Sequence, residues 1–149
     1  RIIGLDRAAK MLDVARRDTA AQRERVSLIQ ADAMALPFAD HSFRLVTCLE
    51  ALEFVPDPRR GLAELMRVLQ PATPDRPAAG WLVVTNRVGW EARLMPGKTW
   101  RREELPKILS NFPLQHIDIQ DWQTIYDLVW AQKVEPGQAN SPPTACKAT

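Results

Sequence analysis

Three apolar runs in the first third of the sequence each lead to an acidic residue that could hold a ligand. The first run leads to Asp6, the run Val26–Gln30 leads to Asp32, and the run Phe43–Cys48 leads to Glu50. An ionised carboxylate accepts hydrogen bonds from hydroxyl or amine groups of a ligand through both of its oxygens. Because ligands of open α/β sheets bind beyond the carboxyl ends of the strands, the spacing predicts a ligand site at one sheet edge.

The segments that would position these residues alternate between strand and helix. Four buried strands are expected at Ile2–Leu5, Val26–Gln30, Phe43–Cys48 and Gly80–Thr85. A helical pattern covers about residues 7–25, and a second helix starts after Asp57 and ends at Pro71. The short gap between the second and third strands predicts that they are neighbours in the sheet. This order favours parallel strands joined by right-handed crossovers.

The remainder of the chain predicts a helix and an antiparallel strand pair. The helix is expected over about Arg102–Ser110, one strand lies around Ile117 and Ile119, and the next covers Ile125–Val134. The short gap between these strands makes them antiparallel. The fold class is therefore α/β, with a doubly wound, mostly parallel sheet that ends in an antiparallel pair. Residues 1–134 form this domain, and residues 135–149 have the composition of a disordered tail.

Composition narrows the class of protein. The chain has 149 residues, which fits one domain, and its net charge of +2 is too small to indicate a nucleic-acid partner. No apolar run approaches the roughly 20 residues that a membrane span needs. The two cysteines, Cys48 and Cys146, do not form a disulfide framework, which indicates a reducing cytoplasm. The two histidines cannot build a metal site with such scattered cysteines, so no metal is expected.

A series of motifs in this order resembles a known enzyme family. Asp6 ends the first strand, and Asp32 lies within QADAMALPF. SFRLVTCLEALEFVPDP then leads into a helix that ends in ELMRVLQP, followed by GWLVVT. The series resembles the class I S-adenosylmethionine-dependent methyltransferases, in particular the small-molecule, ubiquinone and menaquinone methylase-like type (type 11). The resemblance covers about residues 2–134 and implies a Rossmann-like fold, with S-adenosylmethionine as the cofactor and a small organic molecule as the methyl acceptor.

The resemblance also implies roles for individual residues. Asp6 would accept hydrogen bonds from the two ribose hydroxyls, and Asp32 from the exocyclic amine of adenine, with the backbone amide of Ala33 meeting a ring nitrogen. The resemblance also implies contacts beside the adenine from Leu5, Arg7 and Met34 or Leu36. It implies that Cys48 and Leu49 lie along the methionine part of the cofactor. Glu50 and Glu53 would lie at an exposed rim that faces the acceptor.

Methyl transfer from a sulfonium is an in-line displacement with an activated leaving group. The enzyme mainly aligns the two reactants and excludes water, so neither a triad nor a metal is required. A general base is needed only when the acceptor must lose a proton, and Glu50 and Glu53 are the catalytic candidates. Both could equally be solvated side chains. Cys48, a buried thiol at a strand end with nothing nearby to lower its pKa, is not expected to be a nucleophile.

The chain departs from the family pattern at its start. It begins at Arg1 in a strand that is apolar on both faces, so we expect a fragment that lacks the preceding strand and the family's glycine-rich loop. Because that loop lets the backbone approach the cofactor, the fragment is expected to bind the cofactor weakly or not at all. The family also often has a histidine close to the position of Glu53, which is absent here.

Two other functions stay open at this point. A nicotinamide-dependent oxidoreductase also uses an acid at the end of its second strand to bind ribose, although the motif after Asp32 and the terminal antiparallel pair speak against it. A truncated, non-catalytic Rossmann-like binding module is the second alternative. Trp90, Met95 and Trp100 on the long loop 86–99 and just beyond it predict either a lid over an apolar substrate or simple packing at the sheet edge. The acceptor and the oligomeric state are not determined by the sequence.

Overall fold

The structure is a computed structural model that describes residues 1–138. The described chain forms two compact units, one of residues 1–37 and one that starts at Phe38. Most of the expected tail, including Cys146, lies outside the described residues, and the expected domain of residues 1–134 stays a prediction. No helix within residues 1–138 has the length and apolar character needed to cross a membrane.

The first unit contains one pair of strands and one helix. Strand β1 (Ile2–Asp6) runs parallel to β2 (Val26–Gln30), in a register that places Asp6 opposite Gln30. Helix α1 (Ala9–Asp18) connects them, followed by a 3₁₀ turn at Ala20–Gln22. Both strands lie where the sequence predicts them, whereas the predicted helix of about residues 7–25 divides into these two shorter pieces. The unit therefore has the parallel strand–helix–strand arrangement that the sequence indicates.

The second unit contains a four-stranded sheet in the order β3-β4-β6-β5. Its strands are β3 (Leu45–Cys48), β4 (Trp81–Arg87), β5 (Leu114–Trp122) and β6 (Tyr126–Lys133). β3 and β4 are parallel, whereas β6 is antiparallel to both β4 and β5. The predicted antiparallel end of the sheet is therefore confirmed. The prediction that the second and third strands are neighbours is wrong, because β2 belongs to a two-stranded sheet with β1, whereas β3 belongs to the four-stranded sheet.

Helix α2 (Pro58–Val68) crosses from β3 to β4 and is specified locally by its ends. Asp57 is the N-cap, and its Oδ1 accepts hydrogen bonds from the backbone amides of Arg59 and Arg60 at 3.0 and 3.1 Å. Pro58 at the first position has no amide to leave unsatisfied. The predicted start of this helix is thus confirmed, and its buried side chains include Leu62, Leu65 and Met66.

Two short helices interrupt the region after β4. Helix α3 (Gly89–Ala92) lies within the predicted loop, and helix α4 (Leu105–Leu109) lies within the predicted helix. Pro106 falls in the first turn of α4, which is the only part of a helix that tolerates proline. β4 itself continues two residues beyond its predicted end, so Arg87 belongs to the strand.

Candidate functional site

In the first unit, Asp6 and Asp32 follow two adjacent parallel strands. Asp6 is the last residue of β1, and its backbone carbonyl accepts a hydrogen bond from the amide of Ala31 at 3.1 Å, just after β2. Asp32 is the next residue after Ala31. Both side chains are half-buried. The two acids therefore lie at the same, carboxyl end of this strand pair.

Each of these carboxylates holds its own turn through one oxygen. Asp6 Oδ1 accepts from the amide of Ala8 at 2.7 Å, and Asp32 Oδ1 accepts from the amide of Met34 at 2.8 Å. Asp6 is not the cap of α1, because the N-cap position is Ala8 and has no side-chain cap. Within residues 1–138 the Oδ2 atoms of both residues make no hydrogen bond or ion pair. One acceptor oxygen on each acid is thus left to meet a ligand.

The other predicted residues of this unit surround the same strand end. Arg7 is exposed and follows Asp6, and its backbone carbonyl accepts from Gln30 Nε2 at 3.1 Å, which ties the two strand ends together. Ala33 is half-buried within the turn that Asp32 holds. The geometry agrees with the predicted placement of these residues, and their contact with a cofactor stays a prediction.

In the second unit, Cys48, Leu49 and Glu50 lie at the carboxyl end of β3. Cys48 is half-buried and Leu49 is 46% exposed, which is high for a leucine. Glu50 is exposed and has a φ of 50°, a left-handed conformation that residues other than glycine rarely adopt. Its amide donates to the Oγ1 of Thr85, at 2.6 Å, on the neighbouring strand β4. Strain of this kind, held by a neighbouring strand, is typical of functional positions.

Glu53 occupies a different environment from the one predicted. The sequence predicts an exposed rim, but Glu53 is only 2% exposed, in a 3₁₀ turn at Leu52–Phe54. Its Oε1 accepts hydrogen bonds from Tyr126 Oη at 3.0 Å and from Arg87 Nε at 3.3 Å. The placement of Glu53 at an exposed rim is therefore wrong, because a guanidinium and a phenol from two other strands satisfy its charge inside the protein.

Arg87 is the centre of this buried cluster. It forms an ion pair with Glu91 of α3 as well as with Glu53, donates to the hydroxyl of Tyr126, and its Cζ lies 4.8 Å from the centre of the Tyr126 ring. Burial acts to lower the pKa of Arg87, but the hydrogen bond to Glu53 and the surrounding negative charges raise it overall. The arginine therefore stays charged. Glu53 Oε2 is buried and has no hydrogen-bond partner among the described residues.

The same environment raises the pKa values of two neutral side chains. Burial, followed by the hydrogen bond to Glu53, raises the pKa of Tyr126 to about 12. Burial and the charge of Glu53 raise the pKa of Cys48 to about 11. At neutral pH the phenol and the thiol are therefore both protonated. This agrees with the prediction that Cys48 is not a nucleophile, since the thiolate is the reactive form.

Sequence reasoning missed the contribution of Arg87 and Tyr126 to this edge. The sequence predicts a loop at Arg87 and a strand at Tyr126, and it indicates no functional role for either residue. The signal that could have found them is the antiparallel register, which sets the start of β6 beside the carboxyl end of β4 and pairs Arg87 with Tyr126. A carboxylate, a guanidinium and a phenol therefore meet at the edge where a ligand of an α/β sheet binds.

Comparisons with known proteins show which family the chain resembles. Residues 1–73 match the family model described as "Methyltransferase domain". This match covers just under half of the chain, which is similar to this family of methyltransferases over that stretch. The demethylmenaquinone methyltransferase of Clavibacter sepedonicus is 46% identical over 70 residues, which cover 47% of this chain and 28% of that protein. The chain thus spans under a third of the length of this curated relative. The predicted resemblance to the class I, type 11 methyltransferases is confirmed over these residues.

Solved structures agree on the fold over a longer stretch. The [4+2]-cyclase SpnF has a TM-score of 0.71 at 19% identity, and the match covers 90% of this chain and 66% of that one. An S-adenosylmethionine-dependent methyltransferase from Aquifex aeolicus has a TM-score of 0.67 at 15% identity and covers 90% and 69%. At such low identity these similarities show the fold alone. The predicted Rossmann-like α/β class is confirmed.

Proposed function

We propose that this chain is part of an enzyme that transfers a methyl group from S-adenosylmethionine to a small organic acceptor. The observation that carries the proposal is the pair Asp6 and Asp32, in the stretch that matches this family. They follow adjacent parallel strands, and each has one carboxylate oxygen without a hydrogen bond in the described structure. Such oxygens suit the ribose hydroxyls and the adenine amine of the cofactor, respectively.

The remaining site residues take roles that follow from their positions. In the first unit, Arg7 and Ala33 would contact the adenosine. In the second unit, Cys48 and Leu49 would contact the methionine part, with the neutral thiol serving as an apolar surface. Because Glu50 is exposed, whereas Glu53 is buried, Glu50 is the better candidate to accept a proton from the acceptor. Glu53 would act as a positioning residue that holds Arg87 and Tyr126.

The transfer itself requires little chemistry from the protein. When held by Asp6 and Asp32, S-adenosylmethionine would supply a methyl group on a sulfonium sulfur, which would leave with the bonding electron pair and needs no activation by the protein. Where the acceptor atom carries a proton, the proton passes to a base such as Glu50. By analogy with the name of the Clavibacter sepedonicus relative, demethylmenaquinone is the first acceptor to test. A cytoplasmic location, expected from the sequence, stays a prediction.

The proposal is tested by following backbone amide resonances of the full chain in NMR spectra during titration with S-adenosylmethionine up to millimolar concentration, which also detects weak binding. We expect saturable shifts at the amides of Ala8, Ala33 and Met34, and a clear loss of affinity in Asp32→Asn. Asp18→Asn, an exposed acid at the end of α1, is the matched control and should bind as the parent does. Equal shifts with NAD, or the same affinity in Asp32→Asn as in Asp18→Asn, would overturn the proposal and favour the oxidoreductase or the binding-module alternative.

A further inference from the structure

The segment between β4 and α4 encloses a pocket that lies beyond the strand edge described above. Its volume is about 1100 Å³, and residues from Val88 to Glu104 line it. Pockets for small molecules and cofactors commonly have volumes of about 300–1,000 Å³, so the space is sufficient for a ligand with more than one ring. The whole pocket belongs to the second unit.

The walls of this pocket are fixed to the sheet, so it does not depend on a ligand to form. Asn86, which is buried, donates to the carbonyl of Trp100 at 2.9 Å and accepts from its amide at 3.0 Å. Arg102 forms ion pairs with Asp121 and with the fully buried Asp127. These contacts hold the segment at its C-terminal end, around Trp100 and Arg102. A pocket that exists before the ligand binds avoids part of the entropic cost of binding.

The loop tip between the walls is fixed as well. Lys98 Nζ donates to the carbonyls of Val55 and Pro56 at 2.7 and 2.6 Å. Thr99 Oγ1 donates to the carbonyl of Ala92 at 3.3 Å, which closes the loop on helix α3. Helix α3 is thus held in place by its neighbours even though it has only four residues.

Part of the pocket lining is aromatic or apolar. Trp90 is 68% exposed, although it sits on this anchored helix, while Met95 is half-buried and Trp100 is 8% exposed. This exposure leaves the indole ring of Trp90 available to stack on a ligand. Tryptophan and methionine together present flat, polarizable surfaces, which favour an aromatic ring as the ligand.

Charged groups complete the lining. The side chains of Arg93 and Arg101 make no hydrogen bond or ion pair in the part of the chain that the structure describes. The charge of Arg102 is already compensated by Asp121 and Asp127. The lining contains two acids, Glu103 and Glu104, and both are exposed. Glu104 accepts a hydrogen bond from the amide of Arg101 at 3.2 Å. Two guanidinium groups therefore remain available to an acidic ligand group, and guanidinium binds such groups in a directional way.

From this arrangement we propose that the pocket binds a flat aromatic molecule that carries an acidic group. The ring lies against Trp90 and Met95, and the acidic group meets Arg93 and Arg101. That this ligand is the methyl acceptor rests on the proposed function, whereas the binding itself does not. The pocket therefore specifies the class of acceptor more narrowly than the family does.

The test uses two fluorescent probes that differ only by one acidic group. 1-Anilinonaphthalene-8-sulfonate carries a sulfonate, and N-phenyl-1-naphthylamine is the same ring system without it. Both are titrated into the full chain in the absence of S-adenosylmethionine. Trp90→Ala should weaken both probes by about fivefold, the usual size of an aromatic contact. Trp130→Ala is the matched control, because Trp130 is 40% exposed on β6 and lies outside the pocket.

The acidic group is tested by the double variant Arg93→Gln/Arg101→Gln. It should weaken the sulfonate probe by about threefold and leave the neutral probe unchanged, because exposed charge pairs contribute modestly. Arg44→Gln, an exposed arginine outside the pocket, should change neither. The proposal is overturned if Trp90→Ala binds as Trp130→Ala does, or if the arginine variant affects both probes equally or neither of them. Since no cofactor is present, failure here is distinct from failure to bind S-adenosylmethionine.

Discussion

The chain contains one tyrosine, Tyr126, whose phenol can therefore be titrated without interference from another. Glu53 lies 3.0 Å from the phenol oxygen, and its charge contributes to the raised pKa of about 12. Even at the dielectric constant of water, two unit charges at this distance repel by about 1.4 kcal/mol, or about one pKa unit. Glu53→Gln should therefore lower the pKa of Tyr126 by at least about one unit. Burial, the larger cause, should keep it above the ordinary value of 10.

The assay is the absorbance of the phenolate near 295 nm as the pH is raised, with circular dichroism recorded at each point to define the range in which the chain is folded. The matched control is Asp127→Asn. Asp127 adjoins Tyr126 in sequence and is likewise a buried carboxylate paired with an arginine, but it has no contact with the phenol. If Glu53→Gln and Asp127→Asn titrate alike within the folded range, the assignment of a charged Glu53 beside Tyr126 is refuted.

Three further predictions concern single positions. The unfolded thiol of Cys48 ionises near pH 9.0 and the folded one near 11, so the unfolded state is increasingly favoured as the pH rises through this interval. By pH 10 the free energy of unfolding should be lower by about 1.4 kcal/mol. Urea unfolding at pH 8 and 10 measures this loss, which Cys48→Ala should not show. Asp57→Ala should lower the free energy of unfolding by about 0.5–2 kcal/mol, and Asp57→Asn by much less; equal losses would contradict its role as a cap. Glu50→Gly should raise the free energy of unfolding by roughly 1 kcal/mol because it relieves a positive φ, and so should His116→Gly, at a residue with the same φ. Only Glu50→Gly should also impair methyl transfer. If neither variant gained stability, the result would argue against backbone strain at these positions.

Much of the fold was predictable because its determinants are local. The cap at Asp57 with Pro58 fixed the start of α2, and the apolar run Val26–Gln30 coincides with β2. Pairing is a non-local property and was less predictable. The short gap after β2 suggested that β3 would be its neighbour, yet β3 pairs with β4 across α2, because the crossover between parallel strands sets the partner rather than distance along the sequence.

The candidate site divides in the same way. Asp6 and Asp32 could be located from sequence because each directly follows a strand whose pattern is visible. Glu53 could not, since burial of a carboxylate depends on its partners. Those partners are Arg87, 34 residues later, and Tyr126, 73 residues later. Only the antiparallel register of β4 and β6 brings them together.

Two consecutive residues at the start of β6 anchor both ends of the pocket segment. Tyr126 contacts Arg87, where the segment begins, and Asp127 pairs with Arg102, where it ends. Because successive side chains of a strand point to opposite faces, one strand end can hold both attachment points without crowding. Both anchors pair an arginine with a buried carboxylate, so removing either acid leaves the arginine with only its more exposed acidic partner, Glu91 or Asp121, and loosens that end of the segment. The shape of the pocket, and with it the choice of ligand, is therefore set by a strand that lines no part of it.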